Sequence, residues 1–204
     1  MGKTGRLLLC LMLLVPVVFA MDSEGGPAVT LVPAPKEVQL RDGGFRVGPR
    51  TRILVQFGHQ TEDRIAAETL VEQVAEQSGL RLNILGARSG RKAEEHAIVL
   101  ARLDDSRVRR FLARKGLRAD ELVGDQGYLL FSDKSHLIVA ANSGQGLFYG
   151  VQTLRQLLRP AGKGLLCPAV GIRDWPNLEK SVTEKDVSSE SAPVMVKNFL
   201  KPQA

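Results

Sequence analysis

The chain has 204 residues, 28 Lys and Arg against 22 Asp and Glu, and 44% hydrophobic residues. That much apolar residue supports a packed core, so a wholly disordered chain is excluded, and the length fits one domain of ordinary size but not such a domain plus a barrel of about 250 residues. The net charge of +6 is partly the work of the first few residues, and Cys167 is the single cysteine beyond residue 20, so no internal disulfide supports the fold.

Lys3 and Arg6 precede an apolar run from Leu7 to Phe19, and Val18-Phe19-Ala20 offers small residues for cleavage. This pattern predicts a signal peptide over 1–20 and an exported protein, periplasmic or secreted. The run falls short of the roughly 20 residues a spanning helix needs, so no transmembrane anchor is expected after cleavage. None of the asparagines after the leader begins an Asn-x-Ser/Thr sequon. Residues 21–29, with Asp22-Ser23-Glu24-Gly25-Gly26, read as a flexible lead-in.

Val38–Leu40 and Phe45–Val47 flank Arg41-Asp42-Gly43-Gly44, which predicts a hairpin. Arg52–Phe57 is a β-branched, apolar strand. Thr61 is a candidate cap for a helix with Glu62 and Asp63 in its first turn, where negative charge suits the positive end of the helix dipole. Ala67, Leu70, Val71, Val74 and Ser78 recur at helical spacing until Gly79. Leu80–Leu85 and Ala97–Ala101 read as strands around a polar loop, 86–92. A short helix is expected over Arg107–Lys115, capped by Ser106 and stopped by Gly116. Tyr128–Phe131 and Leu137–Ala141 are apolar on both alternating sets, as in strands covered on both faces, and Ser132–Ser135 supplies the turn between them.

Leu147, Val151, Leu154 and Leu158 make one stripe of a helix over about 146–158. Gly146 and Gly150 lie on successive turns and would let that helix lie close to a sheet, and Pro160 and Gly162 would end it. Val170 and Ile172 begin a last strand that runs out at Asp174-Trp175-Pro176. From Asn177 the composition turns polar, with Glu179, Lys180, Glu184, Lys185, Asp186 and Ser188–Ser191. Such a stretch buries too little surface to offset its ordering entropy, so 177–204 reads as a disordered tail. Strands interrupted by two long helices predict an α+β sandwich: a largely antiparallel sheet with two main helices packed on one face.

The chemistry-bearing residues argue against catalysis by this chain. Asp120-Glu121 is the one adjacent Asp-Glu pair after the leader and sits in a polar connection, where a solvated turn or helix cap accounts for it better than an acid pair that needs burial to separate two pKa values. Glu94-Glu95-His96 lacks the spacing of a metal site. His59 and His136 have no nearby Ser or Cys partner. Arg107, Arg109, Arg110, Arg114, Lys115 and Arg118 surround a helix whose Val108, Phe111 and Leu112 are expected to face inward, with no interleaved exposed aromatics, which reads as a solvated face and not a nucleic-acid surface. Phe148, Tyr149 and Tyr128 read as core. Cys167 reads as a packed thiol. No catalytic residue, cofactor or metal is expected.

Val32-Pro33-Ala34-Pro35, Gly127-Tyr128-x-Leu130, Leu147-Phe148-Tyr149-Gly150-Val151-Gln152-Thr153-Leu154-Arg155-Gln156-Leu157 and Ile172-Arg173-Asp174-Trp175-Pro176 occur in one order across 30–176. Together they resemble the non-catalytic N-terminal domain of the family 20 glycoside hydrolases, the β-N-acetylhexosaminidases; related domains of O-GlcNAcase-type and α-glucuronidase enzymes are its neighbours. The resemblance implies a domain that braces a following catalytic barrel, with a chain that stops before that barrel and its Asp-Glu pair. In register from Pro176, the family's substrate-binding Arg falls on Ser181 and its next Gly on Val182, while Asp186-Val187-Ser188 falls where the family has Asp-x-Ser. The implied interface is Asp174, Trp175 and Pro176, with Trp175 as its apolar anchor. The implied partners are a glycosidase catalytic domain or a glycan containing N-acetylhexosamine. A stand-alone glycan- or partner-binding module of the cell envelope is the alternative reading.

Overall fold

The computed structural model describes residues 29–56, 60–87 and 96–176. The leader, most of the lead-in, Phe57, His59, Glu94, Glu95 and the 177–204 stretch lie outside the described residues. Eight strands form one mixed sheet: β1 (Glu37–Val47), β2 (Arg52–Gln56), β3 (Asn83–Ala87), β4 (Ala97–Arg102), β5 (Tyr128–Ser132), β6 (Leu137–Ala141), β7 (Arg159–Ala161) and β8 (Gly164–Asp174). Among the described residues three α-helices accompany them: α1 (Gln60–Ser78), α2 (Ser106–Arg114) and α3 (Gly144–Leu157). The sheet order is β1-β8-β5-β6-β4-β2-β3, with β7 paired to β8 outside this path. The α+β architecture matches the expectation.

Antiparallel pairing joins β1, β8, β5 and β6 in turn and also β7 to β8, whereas β6, β4, β2 and β3 pair in parallel. The parallel half follows from connectivity. A helix of 19 residues separates β2 from β3, and a crossover of that length returns the chain in its original direction.

Strand alternation divides the core into two layers. Tyr128, Leu130, Val139 and Ile172 face α1 and α3, where Leu70, Val74, Leu147, Val151 and Leu154 meet them. Leu129, Phe131, Ile138 and Ala140 face the opposite side, where Leu112 of α2, Leu117 and Val123 cover them. Every residue of β5 and β6 is therefore buried. The two long helices share one face as expected, and the short α2 covers part of the other.

Glycines set the distance between α3 and the sheet. A Cβ on Gly146 would stand 2.5 Å from the Gly127 carbonyl oxygen and 2.9 Å from Ala141 Cβ, and one on Gly150 would stand 2.4 Å from Val139 Cγ1. The helix is seated so closely that only hydrogen fits at these positions. Its entry is fixed by Ser143, whose hydroxyl accepts from Gly146 N at 3.1 Å.

Several local expectations need correction. The predicted hairpin over 38–47 is one continuous strand, and both of its halves pair with β8 across a register shift between Leu40 and Gly44. Arg41-Asp42-Gly43-Gly44 supplies that bulge; the glycine at φ 92° serves a local kink as readily as a tight turn. The cap of α2 is Asp105, which accepts from Arg107 N at 2.8 Å, and Ser106 is already the first helical residue. Gly86 and Ala87 belong to β3 and not to the following loop. After α3, residues 159–161 form a short strand against Leu165 and Leu166. Tyr149 is 40% exposed and outside the core, because it sits on the α3 face turned away from the sheet. There its hydroxyl accepts from Gln145 Nε2 at 3.0 Å.

Candidate functional site

β8 spans eleven residues and lies between β1 and β5, so the sheet holds it on both edges up to Asp174. The three interface residues named from the sequence follow directly. Asp174 is half-buried, and its Oδ1 accepts from Lys36 N at 3.1 Å. Trp175 and Pro176 are also half-buried. The structure brings Arg173 to the centre of this exit: its Nη1 donates to Glu37 Oε1 at 2.6 Å, its Nη2 pairs with Asp120, and its guanidinium lies 4.7 Å from the centre of the Trp175 ring. A cation over an indole face is favourable, and more so when partly desolvated. The Nε of Arg173 is buried without a hydrogen-bond partner among the described residues.

Asp120 acts as the cap anticipated from its polar context, since its Oδ1 accepts from Leu122 N at 3.1 Å at the start of a single 3-10 turn, Glu121–Val123. Its second role, as a counter-ion to Arg173, was not legible: residues 53 positions apart carry no local pattern that links them. Leu122, on the same turn, is 58% exposed. Beneath the exit, the Tyr128 hydroxyl lies 2.6 Å from Thr153 Oγ1. Burial pushes this phenol upward, the Thr153 hydrogen bond opposes that, and the Asp174 charge reinforces it.

A second polar cluster lies where β4 ends. Asp63 is completely buried and Arg102 is 5% exposed. Arg102 Nε donates to Asp63 Oδ1 and Oδ2 at 2.9 and 3.1 Å, and Nη1 donates to the Asn142 carbonyl at 2.8 Å. Glu62 reaches the same guanidinium at 3.3 Å. From the sequence, Asp63 is only a favourable charge in the first turn of α1; its pairing across the sheet is tertiary. It is the one buried carboxylate among the described residues, and its partner is a cation. A glycoside-cleaving acid pair needs two carboxyl groups facing one bond, and the described residues contain no such arrangement.

The remaining sequence candidates have structural roles. His136 Nδ1 lies 3.0 Å from Asp133 Oδ1, and its ring packs on Phe111 at 5.0 Å. Asp133 also receives the Lys115 ammonium at 3.1 Å. Burial raises the Asp133 carboxyl, but hydrogen bonds from Ser135, Lys115 and His136 outweigh it and hold the group down at about 2. Cys167 is buried, and burial pushes its thiol up to about 12, which removes the nucleophilic thiolate at neutral pH. Arg107, Arg109, Arg110, Arg114 and Arg118 are exposed on and just after α2, while Leu112 turns inward.

These features define an α+β domain whose central strand ends in a polar cluster around Arg173, with no acid pair among the described residues. The chain belongs to glycosyl hydrolase family 20, whose domain 2, a non-catalytic domain, it matches over residues 28–175. It is 27% identical over 160 residues to a β-hexosaminidase of Porphyromonas gingivalis, an alignment that takes in 75% of this chain and 18% of that protein. Among solved structures it is similar to the GH20 β-N-acetylhexosaminidase of Streptomyces coelicolor A3(2), at 27% identity and a TM-score of 0.53, covering 71% of this chain and 26% of that one. The N-acetyl-β-hexosaminidase of Streptomyces plicatus gives 28% identity and a TM-score of 0.52, with the same coverage. The chain thus spans 18% to 26% of the length of these relatives.

Proposed function

We propose that this domain braces the catalytic domain of an exported β-N-acetylhexosaminidase and has no glycosidase activity by itself. The observation that carries the reading is the geometry of the exit. A central strand held on both edges ends at Asp174, and Arg173 ties that end to Glu37 on β1, Asp120 at the start of the 3-10 turn and Trp175 beyond it. A domain that must hold another in fixed orientation needs a stiff point of departure, and an aromatic side chain at that point is a suitable anchor for an apolar neighbour. Export is proposed from the leader pattern at 1–20. The substrate class, glycans containing N-acetylhexosamine, is that of the proposed catalytic partner.

The purified 204-residue chain, incubated with an aryl N-acetylglucosaminide, is expected to give no turnover above a buffer blank. Turnover that is lost when any one residue of this chain is substituted would refute the reading. Joined to a family 20 barrel, Trp175→Ala is expected to lower the thermal midpoint of the whole while leaving the KM of the barrel unchanged.

A further inference from the structure

At the pole of the sheet opposite the exit lie two adjoining hollows of about 310 and 610 Å³, which share Pro49, Arg50, Thr51 and His96. Gly164 lines the first. It is the first residue of β8 and Asp174 is the last, so at about 3.3 Å per residue the hollows stand roughly 33 Å from the chain exit. Their volumes fall in the range of small-molecule sites, about 300–1,000 Å³.

The lining is cationic. Arg46, Arg50 and Lys163 border the first hollow, His96 joins them, and no Asp or Glu is among the described residues that line either hollow. Arg46, Arg50 and Lys163 have no ion-pair partner among the described residues. The exposed arginines of α2 stand on a helix; here three cations border one concavity, where the field of like charges is focused and an anion relieves their repulsion.

The frame beneath them is fixed. Gly48 N donates to Thr51 Oγ1 and Thr51 N donates to the Gly48 carbonyl, both at 2.9 Å, so the turn that presents Arg50 is closed from both ends. Thr51 is 4% exposed, and its hydroxyl proton has no acceptor among the described residues. On the other wall, a Cβ on Gly164 would meet the Val47 carbonyl oxygen at 2.2 Å. Only glycine there lets the start of β8 press against the end of β1, and Lys163 and Arg46 border the same hollow.

We propose that this cleft binds the tetrahedral oxyanion of a small phosphate or sulfate ester. Three cations exceed what one carboxylate requires and suit a dianion, with the arginines donating in paired fashion, the lysine as a point charge, and the Thr51 hydroxyl as a neutral donor. The site is far from the exit, so it adds a ligand-binding role independent of bracing and is tested independently of it.

The test titrates the 15N-labelled full chain with inorganic phosphate and then with N-acetylglucosamine 6-phosphate, at ionic strength held constant with chloride. Saturable amide shifts are expected at Gly48, Thr51, Lys163 and Gly164. Arg50→Gln with Lys163→Gln is expected to weaken binding at least about tenfold, since two charge-assisted contacts are lost. Should that double variant unfold, Lys163→Gln alone, on an exposed turn, is expected to weaken it about threefold. Arg110→Gln on α2 is expected to change nothing. Tighter binding of the sugar phosphate supports an ester as the ligand, and equal binding supports recognition of the free oxyanion. No saturation up to about 20 mM overturns the proposal, as does an unchanged affinity in the cleft variants or an equal loss in Arg110→Gln.

Discussion

Replacing Gly150 by alanine should destabilise the domain, although alanine is the better helix former. In a helix interior the exchange gains up to about 1 kcal/mol. Against this, the new methyl would stand 2.4 Å from Val139 Cγ1 and 3.2 Å from the Tyr128 ring atoms Cγ and Cδ2. Val139 is fully buried in a strand paired on both sides, so relief requires shifting either α3 or the sheet. Overpacking of this kind costs about 1–3 kcal/mol, which leaves a net loss of up to about 2 kcal/mol, centred on about 1 kcal/mol. Val139→Ala alone removes two buried carbons at about 0.8 kcal/mol each, plus a cavity, for a loss of about 2 kcal/mol. Combined, the two changes place one methyl into the space vacated by the other. The double variant should then lose only about 1 kcal/mol, a coupling of about 2 kcal/mol. Urea unfolding followed by far-ultraviolet circular dichroism measures all three. An increase in midpoint for Gly150→Ala, or additivity within about 0.5 kcal/mol, would refute the claim that close seating of α3 requires glycine there.

Arg102→Met leaves Asp63 buried and unpaired and should cost about 3–5 kcal/mol, whereas adding Asp63→Leu should restore most of it; a small loss in the single variant, by the same unfolding measurement, would count against the pair. Asp133 has its folded pKa depressed from 3.8 to about 2, so its contribution is full above pH about 4 and is lost as pH falls towards 2. Over that window the unmodified domain should lose about 1–2 kcal/mol more than Asp133→Asn, allowing for partial exposure of the group; parallel stability profiles would contradict this. Cys167 should not react with Ellman's reagent in the folded domain and should react fully in denaturant, and rapid native labelling would show that the β8 interior opens.

Most elements were legible because they are written locally. The doubly apolar runs at 128–131 and 137–141 became the two fully buried strands, and the stripe through Leu147, Val151 and Leu154 became the buried face of α3. Gly79 and Gly116 end their helices at φ 72° and 86°, as their positions implied. The misread element was β1. Asp42-Gly43-Gly44 carries the signal of a tight turn, and only the partner strand, more than 120 residues further along, makes it a bulge. The polar clusters failed for the same reason. Arg102 reaches Asp63 and Arg173 reaches Asp120 across folded space, and Arg50 and Lys163, far apart in sequence, border one hollow. Asp174, Trp175 and Pro176 were singled out through a motif, but the links of the Arg173 guanidinium to Glu37 and Asp120 were not.

The kink in β1 has a consequence for the isolated domain. This strand forms one margin of the sheet and exposes Val38 and Leu40, the kind of border on which foreign strands assemble into aggregates. The break in register between Leu40 and Gly44 interrupts the straight template such growth needs, and Glu37, Arg41, Asp42 and Arg46 place charge of both signs along it. Straightening that margin by deleting Gly43 should therefore make the purified domain more prone to precipitate than the unaltered one, as turbidity would show.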